Sequence, residues 1–294
     1  MSTLSFRLAL TGLSLGLGIS LAAPSAIAAE GRVEPPALSW SFSGPFGTFD
    51  RAQLQRGYKV FKEVCASCHA ATLMRFRNLS QPGGPEFTPS QITALAATFQ
   101  VKDGPNDQGE MFDRPGRPAD PFPSPFANEQ AARAANGGAF PVDLSVIAKA
   151  RTYERGFPRF VFDIFTQYQE QGPDYLAALL AGYKDPPPEG VTLLPGQYYN
   201  TYMPGHLIAM PKPLNDGQVE YPKGADGQPQ APETVAQYAK DVTAFLVWAA
   251  EPHLEQRKRI GLQVMLFLLI FGSLLYYTKK KVWSRLPDGS PLHH

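Results

Sequence analysis

The chain's only two cysteines stand in one pentapeptide, Cys65-Ala66-Ser67-Cys68-His69. Two thiols at i and i+3 with histidine directly behind them is the spacing at which a c-type haem is attached through two thioethers, the imidazole then reaching the iron. A disulfide framework is excluded, so the fold rests on packing and on whatever the pentapeptide binds. Three chemistries use such a spacing: haem attachment, a thiol-redox pair and half of a zinc site. A redox pair is expected behind the strand of a thioredoxin-like unit, and zinc asks for two further Cys or His at ligand spacing. Neither context surrounds the pentapeptide, and haem attachment is the preferred reading.

Both ends of the chain read as membrane-directed. Residues 1–28 carry one early charge, Arg7, then an apolar stretch over 8–23, then Ala26-Ile27-Ala28 as a small-residue cleavage pattern, which together predict a secretory signal peptide. A second membrane span is the competing reading, disfavoured by the Gly, Ser and Thr content and by the cleavage pattern. Export agrees with haem attachment and puts residues 29–256 in a bacterial periplasm or an equivalent compartment. Residues 260–278 are nearly uncharged, and nineteen residues at helical rise span about 28 Å, close to the hydrocarbon thickness of a bilayer. A membrane anchor with basic flanks is therefore predicted over 257–281, with a cytoplasmic tail over 282–294. Tyr276, Tyr277 and Trp283 fall where an interfacial aromatic belt is expected, followed by Lys279, Lys280, Lys281 and Arg285. Arg257, Lys258 and Arg259 on the other flank dilute the positive-inside signal. The signal peptide decides the orientation: haem domain outside, tail inside.

The formal net charge of +1 hides an acidic domain, because residues 31–256 hold 19 Lys and Arg against 24 Asp and Glu. Such a balance disfavours nucleic acid and favours a basic partner through electrostatic steering, although ordinary solubility charge would give the same count. With 29 prolines, about twice the usual share, the domain is expected to be loop-rich. A helix is predicted over 51–64, capped by Asp50, with Leu54, Tyr58 and Phe61 on one face. Gly57 inside it costs about 1 kcal/mol relative to Ala unless something packs closely there. The counterpart is a helix begun by Pro232-Glu233-Thr234, with Val235, Tyr238, Val242, Phe245, Leu246 and Ala249 as its apolar stripe, ending before Pro252. A Gly notch receiving an aromatic from that helix is the crossing of the c-type cytochrome fold; plain core packing would leave the same stripe.

Between these helices, residues 88–99 read as a helix with Ile92, Leu95 and Phe99 on one face. Residues 100–130 read as a long polar, structureless and mobile insert. Residues 136–150 read as a turn and a short helix capped by Asp143, residues 173–180 as a helix stopped by Gly182, and 185–190 as a proline turn. The fold class expected is mainly α: a loop-rich c-type cytochrome domain with one C-terminal transmembrane helix.

An electron carrier fills both axial positions of its haem iron, whereas a haem enzyme or gas sensor leaves one open. Met74 is too near His69 to reach the opposite face, Met111 lies in the polar insert, and His253 sits between the last soluble helix and the anchor. The Pro- and Gly-flanked segment 202–213 remains, with Met203, His206 and Met210. Met210 is preferred, since a neutral thioether stabilises ferrous iron and raises the potential. His206 is the rival and would lower it.

These stretches together resemble the cytochrome c1 family, the haem subunit of the cytochrome bc1 complex (ubiquinol:cytochrome c reductase), in its alphaproteobacterial form. The likeness runs through Arg56-Gly57-Tyr58-Lys59-Val60-Phe61 and the pentapeptide, Ala135-Asn136-Gly137-Gly138-Ala139 with Pro141, Asp143-Leu144-Ser145, and Lys149-Ala150-Arg151. It continues through Asp174-Tyr175, Gly182-Tyr183, Met203-Pro204-Gly205 to Met210-Pro211, Lys240-Asp241-Val242, Trp248-Ala249-Ala250-Glu251-Pro252 and Arg257-Lys258-Arg259. The resemblance implies one haem c bound through Cys65 and Cys68, iron ligation by His69 and Met210, a propionate partner in Arg151, and Tyr175 near the haem edge. It also implies a dimeric complex with cytochrome b and a Rieske iron–sulfur protein, an acceptor cytochrome c, and no substrate bond broken by this chain itself. Departures from the pattern are Met203 in place of the usual Phe, Val142 in place of the second Pro of a pair, an insert over 152–172 relative to mitochondrial forms, and the lack of the extra cysteine pair that some bacterial relatives have.

Overall fold

A computed structural model describes residues 33–153, 157–159, 161, 171–225 and 227–284. The predicted signal peptide, most of the 152–172 insert and the end of the tail lie outside the described residues.

Asp50 starts the first helix, α1 (Arg51–Glu63), by accepting a hydrogen bond from the Gln53 amide, and Leu54, Tyr58 and Phe61 are buried along it as their spacing predicts. Its main partner is α6 (Val235–Ala250), capped by Thr234 and buried over most of its length. At the crossing, a Cβ on Gly57 would lie 2.1 Å from the Asp241 carbonyl oxygen and 2.8 Å from the Phe245 Cβ. The notch is real, and what enters it is chiefly backbone, so only glycine permits this approach. Tyr58 and Phe61 then meet Phe245 at ring separations of 5.6 and 5.5 Å.

Four polar side chains at this interface meet at one carboxylate. Asp241, fully buried, accepts from Arg56 Nε at 2.8 Å, Gln53 Nε2 at 3.0 Å, Gln237 Nε2 at 2.8 Å and Tyr221 Oη at 2.9 Å. A buried charge is tolerable only when paired and hydrogen-bonded in this way. Burial, with the nearby Asp241 charge, pushes the Tyr221 phenol well above its ordinary range, so it stays a donor.

Shorter elements cover the flanks. The predicted 88–99 helix is α2 (Pro89–Ala97), with Thr88 as its cap. The 100–130 insert is not structureless: β1 (Gln100–Asp103) pairs antiparallel with β2 (Phe112–Pro115), and α3 (Glu129–Ala135) follows. Its charges hold it together, since Arg114 bonds both Asp103 and Asp120, holding the Asp120 carboxyl down at about 2. The insert also supplies a core ring. Phe122 is buried within 5.1 Å of Phe76 and 5.9 Å of Phe61, and its amide donates to the Met74 carbonyl. Met74 itself is buried in the core, while Met111 is exposed in the hairpin segment.

Three further helices follow. These are α4 (Ile147–Ala150), α5 (Gln171–Ala181) and the long α7 (Leu254–Trp283). The predicted Asp143 cap of α4 is absent: the N-cap residue is Val146, and no side chain caps it. The Asp143 carboxylate is instead taken by Thr72, from a distant segment, and by the Ser145 amide just ahead of the helix. Both α4 and α5 pack on α6. The N-terminal arm is pinned to α5 through Asp174, which accepts from Trp40 Nε1 at 2.7 Å and from the Leu38 amide.

Candidate functional site

Behind α1 the chain tightens into a 3₁₀ turn over Cys65–Ser67, closed by the Cys68 and His69 amides donating to the Cys65 carbonyl at 3.1 and 2.8 Å. Three residues per turn bring positions i and i+3 into register, so the two-residue spacer sets both thiols on one side of the turn. Burial, together with Cys68, pushes the Cys65 thiol up to about 12. A thiol so reluctant to ionise is a poor redox nucleophile. Among the described residues no group of three or more His, Cys, Asp or Glu is placed to hold a metal ion, so the zinc reading finds no second half.

The histidine is aimed by a carbonyl. His69 Nδ1 lies 2.7 Å from the Val142 oxygen, and a carbonyl only accepts, so Nδ1 carries the proton and Nε2 presents a lone pair. Burial lowers the His69 pKa against the opposing pull of that bond and of Asp143, which favours the neutral, ligating ring. Val142 sits where it does because its neighbours are sewn to residues 70–73. The Leu144 amide donates to the Ala70 carbonyl at 2.8 Å, and Asp143 accepts from the Thr72 amide and hydroxyl at 2.9 and 2.8 Å and from the Ser145 amide at 2.8 Å. Partial burial alone would raise the Asp143 carboxyl; the hydrogen bonds from Ser145 and Thr72 outweigh it and hold it below its ordinary value.

Apolar side chains left open around this corner complete it. Leu73 is 70% exposed, and Phe140, Val142 and Val146 are exposed as well. Apolar surface gathered beside paired thiols and an oriented imidazole is the surface that a flat apolar macrocycle would cover. The residues present therefore fit a haem c: Cys65 and Cys68 for its thioethers and His69 Nε2 for its iron.

The second half of the predicted site is built separately. A two-residue ribbon, β3 (Tyr198–Tyr199) with β4 (Leu207–Ile208), carries the loop between its strands. Fully buried Asn200 organises that loop, donating to the Leu179 carbonyl at 2.7 Å and accepting from the Tyr202 and Met203 amides. Met210, half-buried just beyond β4, is held by its carbonyl, which accepts from Tyr183 Oη at 3.1 Å. His206 adopts a positive φ of 62°, puts Nδ1 3.0 Å from the Thr201 carbonyl and stacks on Tyr199 at 5.6 Å, so its ring is engaged inside its own loop. Tyr175 is buried on α5 and points its hydroxyl at Met203 Sδ, 3.9 Å away. Arg151 ends α4 and is exposed.

The pentapeptide and residues 140–147 are thus joined directly, as are Tyr175 and Met203. Among the described residues no hydrogen bond joins these two groups to each other; the second reaches the core through α5, which packs on α6. Sequence reasoning missed the Val142 carbonyl, Asn200 and Tyr183. An Asn at a turn ahead of the Met203-Pro204-Gly205 run was the one signal that pointed to Asn200.

A family model described as the Cytochrome C1 family matches residues 40–286. The chain is 64% identical over 255 residues to cytochrome b/c1 of Bradyrhizobium diazoefficiens, an alignment covering 87% of this chain and 36% of that longer protein. It is 51% identical over 279 residues to cytochrome c1 of Blastochloris viridis, covering 94% and 96% of the two. With the mitochondrial cytochrome c1 heme protein of Saccharomyces cerevisiae it shares 43% over 265 residues, 90% of this chain and 77% of the other.

Proposed function

The chain belongs to the cytochrome c1 family, and from that premise we propose that it relays one electron at a time from a Rieske iron–sulfur protein to a soluble or membrane-bound cytochrome c, within a dimeric cytochrome bc1 complex that also contains cytochrome b. When bound, haem c supplies a one-electron iron couple. The chain's own residues fasten, orient and tune that group, and none of them is asked for acid–base or nucleophilic work. Cys65 and Cys68 would hold the macrocycle through thioethers, and His69 offers Nε2 because Val142 occupies Nδ1. Met210 would supply a thioether ligand to the iron, from a segment steadied by Tyr183 and Asn200. Arg151, exposed at the end of α4, would pair with a propionate, and Tyr175, beside Met203, would lie near the haem edge.

The observation that carries this reading is the oriented His69 behind two thiols on a single 3₁₀ turn. α7 is long and apolar enough to cross a bilayer, and it anchors the domain. The signal peptide sets the haem domain in the periplasm of a bacterial inner membrane, with the C-terminus cytoplasmic. The acidic surface suits a basic acceptor.

The test is rapid mixing of the purified complex with a ubiquinol, following reduction of its c-type haem and then of an added basic cytochrome c. Reduction in that order, with the second step slowing steeply as salt rises, is expected. A c-type haem that stays oxidised while the acceptor is reduced would overturn the relay.

A further inference from the structure

The far side of the domain, where it meets its anchor, holds a cavity that the electron relay does not use. α7 has 30 residues, about 45 Å at helical rise. The hydrocarbon core of a bilayer is about 30 Å thick, so with residues 260–278 inside it, residues 254–259 stand above it on the domain side. Those turns are fastened to the domain. Leu254 is buried, Glu255 accepts two bonds from Arg51 at 2.6 and 2.9 Å and one from the Phe49 amide at 2.8 Å, and Lys258 Nζ donates to the Phe42 and Gly47 carbonyls.

Between this neck and the turns at 45–48 and 82–86 lies a cavity of about 610 Å³, within the range of small-molecule sites. Its wall includes Phe46, His253, Arg259 and Leu262. Leu262 belongs to the apolar run, so the cavity opens at headgroup level and continues the lipid-facing surface of α7. Phe46 is 77% exposed. Both carboxylates of the wall are engaged, Glu86 by Arg51 Nε and the Gly83 amide, Glu255 by Arg51 and the Phe49 amide. Arg51 answers both acids, and the exposed cation of the wall is Arg259. Arg259 is exposed and makes no ion pair among the described residues.

We propose that this cavity is a phospholipid site, taking an anionic headgroup beside Arg259 with its acyl chains along α7 from Leu262, and that Phe46 enters the interface as a second membrane contact of the domain. Lipid is favoured over a protein occupant because the cavity is continuous with the bilayer-facing helix and pairs its exposed cation with an exposed aromatic, the combination that suits an anionic interface. The proposal rests on α7 as a membrane span, and alkaline carbonate extraction checks that premise separately: release of the chain into the soluble fraction would overturn the anchor itself.

The experiment uses the full-length holoprotein, alone and in its complex, in phosphatidylcholine nanodiscs with and without phosphatidylglycerol. Native mass spectrometry should show one phosphatidylglycerol retained per chain, reduced about tenfold by Arg259→Gln, equivalent to about 1.4 kcal/mol, and restored by Arg259→Lys. A bimane probe on Phe46→Cys should be quenched by phospholipids spin-labelled at a shallow depth. Retention indifferent to headgroup and to Arg259→Gln, an unquenched probe, or loss of the bound lipid whenever cytochrome b is present would overturn the proposal, the last by making the cavity a protein interface.

Discussion

α1 serves two regions with opposite characters. Its N-terminal half faces the Asp241 cluster, where every donor and acceptor named above is matched by another group of the same chain and a backbone-to-backbone crossing at Gly57 leaves no spare volume. Its C-terminal end opens on the pentapeptide, where two free thiols and an imidazole aimed by Val142 lie beside several exposed apolar side chains. One region is finished by folding; the other is finished by a cofactor. The difference teaches that stability and redox tuning are housed apart on the same helix, so substitutions should separate them.

Asp241→Ala should strike hardest at the first region. It strips the shared acceptor from four side chains and leaves Arg56 buried without its counter-charge, a change that costs about 3–5 kcal/mol, read from the urea midpoint of the holoprotein. A loss below about 1 kcal/mol would mean that the Asp241 cluster is not what holds the two helices together. Gly57→Ala comes next. Helix propensity alone would favour Ala by about 1 kcal/mol, but a Cβ at 2.1 Å from a carbonyl oxygen forces the two helices apart. Overpacking of that kind costs about 1–3 kcal/mol, so the net sign is destabilising, with the midpoint potential unchanged.

Met210→Leu sharpens the comparison from the other side. Nearly conserving volume, it should cost less than about 1.5 kcal/mol, keep the covalent haem by pyridine haemochrome, lower the midpoint potential and admit carbon monoxide to the reduced iron. An unaltered titration and spectrum would remove Met210 from the iron. The smallest effect belongs to Glu255. Hydrogen bonds and charge from Arg51 hold its carboxyl below its ordinary value of 4.5. A depressed acid stabilises the fold above its unfolded pKa and loses that contribution as pH falls through the folded one, so the neck should loosen only below pH 4.5. Glu255→Gln should flatten that part of the acid limb of a thermal-melt series while costing less than about 1 kcal/mol at neutral pH.

The elements read in advance are those whose partners are near in sequence. α1 and α6 declared themselves through caps immediately before their first turns and apolar residues at helical spacing, and both observed ranges follow those signals. The 100–130 segment misled because its composition is polar while its decisive residue is one ring, Phe122, which gains its meaning only from Phe61 and Phe76. Asp143 misled for a related reason. Its carboxylate is divided between the nearby Ser145 amide on one oxygen and the distant Thr72 amide and hydroxyl on the other, and α4 begins beyond its reach.

Alone, the sequence determined the thiol spacing, the crossing glycine, the paired helices and the apolar anchor, because each is written in short-range periodicity that any folded form of the chain must respect. Which nitrogen of His69 is free, what steadies Met210, and how the anchor grips Arg51 were decided by tertiary structure. Those bonds join Val142, Tyr183 and Glu255 to segments up to 204 positions away, and their geometry exists only once the helices have docked.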